Sequence, residues 1–126
     1  MRVYRGREGQ WAWLLHRVSG LGVLAFLCLH IVDTSLLLAG EGAYNHLIRS
    51  VYQQWWFQPL EIALGAALLF HALNGVRVIL IDFWDRGVRY ERRLWQATLV
   101  LFVLLTVPLA AAMLAPFVGP ALAGAR

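Results

Sequence analysis

Three long apolar stretches, separated by shorter polar ones, organise the chain. The first runs from Trp13 to Leu38, the second from Phe57 to Phe83, and the third from Leu94 to Phe117. A helix needs about 20 apolar residues to cross the hydrocarbon core, and each stretch meets that length. Trp11 and Trp13 open the first span at a position suited to an interfacial aromatic belt. This span is too long for the apolar region of a cleaved leader, and no small-residue cleavage site follows it. Residues 39–56 form a polar loop, with Gly40-Glu41-Gly42 as a breaker and Tyr52, Trp55 and Trp56 as a second belt. Pro59 falls in the first turn of the second helix, where proline is tolerated. The 84–93 loop is short and charged. Pro108 is expected to kink the third helix locally, and the Ala/Gly/Pro-rich tail from Pro116 is expected to be disordered. The pattern predicts an all-α integral membrane protein with three transmembrane helices (13–38, 57–83 and 94–117), residues 1–126 forming a single membrane-anchor domain.

Composition supports this class. Of 126 residues, 60% are hydrophobic and 14% charged, and the mean hydropathy is +0.63; soluble domains run near 45–50% apolar and about 25% charged. The single Cys28 cannot form an internal disulfide. The formal charge is +4, and all eleven basic residues are arginine. Arg2, Arg5, Arg7 and Arg17 lie at the start of the first span, and Arg86, Arg89, Arg92 and Arg93 follow the second. Short Arg-rich segments stay in the cytoplasm. The N-terminus and the 84–93 loop are therefore expected to be cytoplasmic, and the C-terminus outside. The arginines read as a topology signal, not a nucleic-acid surface. No nucleotide-binding loop or nucleophile elbow is found.

Chemistry is concentrated in the first two spans. Ionisable groups at membrane depth cost on the order of 2.5–3.5 kcal/mol each and rarely persist without a partner. Span one carries His16, Arg17, Ser19, His30, Asp33, Thr34 and Ser35; span two carries Glu61, His71, Asn74, Arg77 and Asp82; span three has only Gln96, Thr98 and Thr106. Span three thus reads as lipid-facing scaffold. At about 100° per residue, His16, Ser19 and Thr34 fall within roughly 40° of His30 on one face, with Arg17 pointing elsewhere. On the second helix Gly75 lies one turn after His71. It is expected to leave room beside the imidazole for a flat macrocycle.

Two deep histidines on neighbouring helices have several readings. Each can hydrogen-bond a carbonyl or hydroxyl of an adjacent helix. A zinc or copper site lacks further ligands at suitable spacing. A proton relay could use Asp33 and Glu61. Haem ligation fits the sterics best, because a helix-borne neutral imidazole facing a bundle interior serves as an axial ligand.

The stretches His16-Arg17-Val18-Ser19-Gly20 and His71-Ala72-Leu73-Asn74-Gly75-Val76-Arg77, continuing to Asp82, resemble the two signature segments of the succinate dehydrogenase cytochrome b556 subunit. That subunit is the larger membrane anchor of succinate:quinone oxidoreductase. The segments occur in the family's order, about 55 residues apart, and the likeness covers about residues 4–115. Tyr4-Arg5-Gly6-Arg7 and Leu29-His30-Ile31-Val32-Asp33-Thr34 resemble the actinobacterial and Thermus-type variant.

The resemblance implies a haem b-binding anchor of a bacterial plasma-membrane succinate dehydrogenase of the tricarboxylic acid cycle. Such an anchor passes electrons from an iron–sulfur subunit to quinone and catalyses nothing alone. Its partners would be a second membrane anchor, the iron–sulfur subunit and the flavoprotein subunit, which carry the iron–sulfur clusters and FAD. His71 is implied as an axial haem ligand, and His16 and Arg17 as neighbours of haem propionates and quinone. Ser19 is a further candidate for quinone contact. Arg77 and Asp82 are expected to hold the second helix to its neighbours or to a partner subunit. Trp13 stands where ubiquinone-reducing members have a quinone-contacting serine, which fits a different quinone, plausibly menaquinone. The resemblance to two-haem members, which carry a ligand on each of the first two helices, implies that His30 ligates a second, outer haem. Helical rise places it roughly 20 Å beyond His16. A structural histidine and joint ligation of one iron with His71 are the other readings. One haem or two is therefore compatible with the residues. A fumarate reductase anchor, or a membrane cytochrome b of another redox complex, shares the architecture.

Overall fold

The computed structural model describes residues 8–123. Four α-helices follow in order: α1 Glu8–Ser35, α2 Glu41–Leu47, α3 Gln58–Phe83 and α4 Glu91–Ala123. Three helical segments are long and apolar enough to cross a membrane, Gly9–Ala39, Gln58–Phe83 and Val88–Phe117. Their apolar residues run around the whole circumference, as in helices whose outer surface meets lipid instead of water. In that medium an unbonded N–H or C=O costs several kcal/mol, so these segments close their hydrogen bonds internally.

The chain departs from expectation in two places. The 39–56 segment is not an irregular loop. Leu36–Ala39 forms a 3₁₀ turn, α2 follows, and Ile48–Tyr52 makes a wider π-type turn. The break falls at Gly40, whose φ of 111° suits glycine, and Glu41 starts α2 with a carboxylate favourable to the helix dipole. The tail is not disordered as far as Ala123: α4 runs through Pro108, Pro116 and Pro120. A proline deletes one N–H donor, whereas leaving the helix would strand several carbonyls. Residues 124–126 of the expected tail lie outside the described residues.

α3 is the middle helix, packed against α1 on one side and α4 on the other. The core is small: Ala12 of α1, Phe70 of α3 and Trp95 of α4, with Phe102 beside them. Phe70 meets Trp95 and Phe102 edge to face, with centroids 6.3 and 5.8 Å away, a favourable quadrupole arrangement. Most other large apolar side chains are exposed, Leu38 and Phe83 among them. The 84–90 turn folds back on the end of α3 because Gly87 has no side chain. A Cβ there would lie 2.5 Å from the Leu80 carbonyl oxygen and 2.6 Å from Ile81 Cα.

Candidate functional site

His71 leaves α3 toward the first turns of α1. Its Nδ1 lies 3.1 Å from the carbonyl oxygen of His16 and 3.4 Å from Ser19 Oγ. A carbonyl can only accept, so Nδ1 carries the proton and Nε2 keeps its lone pair. Ser19 Oγ in turn donates to the His16 carbonyl at 3.0 Å. The rings of His16 and His71 are stacked, with centroids 4.0 Å apart and planes at 7°. Gly20 makes the approach possible, because a Cβ there would sit 2.8 Å from His71 Cε1 and 3.2 Å from Nδ1. Gly75 lies nearer His16. A Cβ at Gly75 would meet His16 Cε1 at an ordinary 3.7 Å, and the glycine in close contact with the His71 ring itself is Gly20 on α1.

One turn further along α3, polar groups tie the three spans together at the same end of the bundle. Asn74 is 1% exposed and Arg77 5%. Asn74 Nδ2 reaches the Ala12 carbonyl at 3.5 Å, and its Oδ1 accepts from Arg77 Nη1 at 3.4 Å. Arg77 Nη2 pairs with Glu91 Oε1 of α4 at 3.2 Å, and the guanidinium carbon lies 5.5 Å from the Trp95 ring centre. A buried cation costs several kcal/mol unless paired, which is why these partners converge on it. Beside this clasp is a cleft of about 220 Å³ lined by Trp13, His16, Asn74, Arg77, Asp82 and Glu91, among others. In two of these residues a polar atom, His16 Nδ1 and Arg77 Nε, is buried without a hydrogen-bond partner.

The other candidates are placed differently. Arg17 is exposed, its guanidinium 4.2 Å from the centre of the Trp13 ring. Ser19 is buried and turned to His71, away from the cleft. His30 is exposed on α1, stacked on Phe26 at 5.5 Å. With His71 beside His16, the 14 residues from His16 to His30 correspond to about 21 Å along the helix, too far for His30 and His71 to share one iron. Asp33 accepts a hydrogen bond from Tyr52, and Glu61 accepts one from Gln58 at 3.0 Å; neither carboxylate bonds a histidine. Asp82 lines the cleft and is otherwise exposed. Sequence reasoning missed Glu91, which falls in the charged 84–93 loop, and Trp95, in a third span read as scaffold. The signal was Arg77 itself, which at that depth requires a nearby carboxylate and finds Glu91.

His71 suits an iron porphyrin. Metal-bound histidines commonly give their second ring N–H to a carbonyl, which sets the tautomer and raises the basicity of the free nitrogen; His71 has that arrangement with His16. Among the described residues no group of three or more His, Cys, Asp or Glu side chains could cage a bare metal ion. A cofactor here would therefore depend on its macrocycle and on ligands outside this chain.

Three apolar helices with a polar, histidine-bearing seam between the first two define an integral membrane protein. Comparison with known proteins makes the class specific. Residues 1–115 match the family model described as the succinate dehydrogenase/fumarate reductase transmembrane subunit, and the chain belongs to that family. It is 43% identical over 106 residues, 84% of its length and 77% of the relative's, to the succinate dehydrogenase 2 membrane subunit SdhC of Mycobacterium tuberculosis. It is 32% identical over 93 residues, 74% of its length and 71% of the relative's, to a succinate dehydrogenase hydrophobic membrane anchor subunit of Halobacterium salinarum. The chain is a membrane-anchor subunit of succinate dehydrogenase, functioning in complex with other subunits and not catalytic alone.

Proposed function

We propose that this anchor binds haem b through His71 Nε2 and conducts electrons from an iron–sulfur subunit to quinone, in a bacterial plasma membrane. The observation carrying this reading is the hydrogen bond from His71 Nδ1 to the His16 carbonyl, which leaves Nε2 as an unprotonated ligand. A haem b bound there supplies a one-electron store between the clusters and the two-electron acceptor. The chain's own residues do the rest. The α1–α3 seam holds the imidazole still, and the apolar surroundings exclude water. The cleft beside Trp13, His16 and Arg77 is the place on this chain where a quinone would sit. Arg17, its guanidinium carbon 4.2 Å from the centre of the Trp13 ring, would offer its planar fork of donors to a propionate or a quinone oxygen. The arginines of the 84–93 loop face the cytoplasm and dock the iron–sulfur and flavoprotein subunits. A second anchor would cover the exposed face of α1 and supply what else holds the haem. His30 on that face ligates a second haem, and the quinone is menaquinone.

A second reading rests on the same bond. A histidine that donates to a carbonyl of the adjacent helix and stacks on another ring is also an interhelical clasp requiring no cofactor. The haem-to-flavin ratio of the purified complex separates the two. His71→Ala should lower it by one haem per flavin in the haem reading, and leave it unchanged if His71 is only a clasp.

A further inference from the structure

The segment of α1 that faces His71 is built more closely than attachment of two helices requires. Ser19 is 8% exposed although it lies in a helix that is otherwise largely exposed. Its hydroxyl makes two contacts at once, donating to the His16 carbonyl at 3.0 Å and lying 3.4 Å from His71 Nδ1. A serine hydroxyl bonded to the carbonyl three residues back competes with the helical N–H for that oxygen and bends the helix locally. Here the carbonyl so engaged is the one that accepts from His71. The oxygen lone pairs of Ser19 also face Nδ1, so its proton is shared between two acceptors. Directly after Ser19, the absent Cβ of Gly20 leaves the gap into which the Nδ1–Cε1 edge of the ring fits.

We propose that Ser19 and Gly20 are positioning residues for His71: together with the His16 carbonyl they form a socket that fixes the tautomer and angle of the imidazole and sets its strength as a ligand. The inference rests on the haem reading above. Acceptors on Nδ1–H push electron density toward Nε2 and favour the ferric over the ferrous iron, so the socket holds the midpoint potential of that haem down. Without the Ser19 hydroxyl, one acceptor is lost and the His16 carbonyl is free to return to its own helix. The haem should then stay bound with a higher midpoint potential.

The test uses the whole membrane complex, with haem content, redox titration and low-temperature EPR as readouts. Ser19→Ala should keep full haem content, raise the midpoint potential of the His71 haem and shift its low-spin EPR signal. Ser19→Thr, which keeps the hydroxyl, should restore the parent values. Gly20→Ala should move the ring and convert this haem to high-spin, or lose it. His71→Ala, run alongside, separates two failures. If it removes one haem but Ser19→Ala leaves potential and EPR unchanged, the socket is wrong and the haem reading stands. If His71→Ala removes no haem, both fall.

Discussion

The imidazoles of His16 and His71 lie parallel, 4.0 Å between centroids, and the backbone carbonyl of the former accepts the Nδ1 proton of the latter. One residue of α1 thus contacts the α3 histidine through both its ring and its main chain. The two contacts fix different things. The stack restricts tilt of the ring, and the hydrogen bond decides which nitrogen is left bare. An imidazole constrained in both ways loses little freedom when its second nitrogen is engaged, which is the preorganisation a ligand or an electron-transfer site needs.

The Arg77–Glu91 pair should matter more for assembly than for electron transfer. Breaking a fully buried pair costs about 3–5 kcal/mol. Glu91 is half exposed, so about 1–3 kcal/mol is expected for Glu91→Gln. The thermal transition of the detergent-solubilised complex should fall. Arg77→Met added to Glu91→Gln should recover part of the loss, because the uncompensated cation is then gone. A double variant less stable than Glu91→Gln alone would contradict this assignment.

Trp13 should act through Arg17. A cation–π contact contributes about 0.5–2 kcal/mol, so Trp13→Ala should raise the KM for quinone about 2- to 30-fold, the equivalent of that energy. Succinate oxidation with an artificial acceptor that takes electrons upstream of the membrane should be preserved. Arg17→Lys, which lacks the planar fork, should show the same split between acceptors. Equal loss with both acceptors would make Trp13 and Arg17 assembly residues.

How much of this was legible in the sequence follows from its physics. Length and hydropathy sufficed for three spans, since lipid allows few alternatives to a helix. Helical periodicity placed His16 and Ser19 on one face, and they do meet His71. Periodicity could not say where that face points over its whole length: it groups His30 with them, yet His30 is exposed while His16 and Ser19 face α3. Contacts between helices were also out of reach. The close approach of Gly20 to the His71 ring, 51 positions apart in the chain, is one such contact. Glu91 was hidden for a similar reason. It sits in a charged turn and looks solvated until α4 is laid against Arg77. The extension of α4 is not legible because Pro marks turns in water, whereas an apolar surrounding penalises each broken backbone bond. The 41–52 segment lies outside the spans, and its helix follows the single break at Gly40.

His30 and His71 should behave independently. About 21 Å of helix separates His30 from the level of His71, so loss of one imidazole leaves the other's surroundings untouched. His30→Ala should remove an optical component with its own midpoint potential and leave the His71 component in place. An unchanged spectrum would make His30 a packing residue on Phe26. Loss of the same component from either variant would contradict the separation in depth.

Gly87→Ala should impair accumulation of the complex. The new methyl group would clash with main-chain atoms of Leu80 and Ile81, which cannot move aside as a side chain can. The turn must open, displacing the start of α4 and Glu91 with it. Immunoblots of membranes should show reduced amounts of this subunit, and wild-type accumulation with unaltered thermal stability would contradict the close approach.

Ligation by His71 is tested most directly by chemical rescue. In the purified His71→Gly complex, the low-spin α-band of the reduced haem nearest the α1–α3 seam should be absent and should return when free imidazole is added. Persistence of the parental band in His71→Gly without imidazole would contradict the assignment of His71 as an axial ligand.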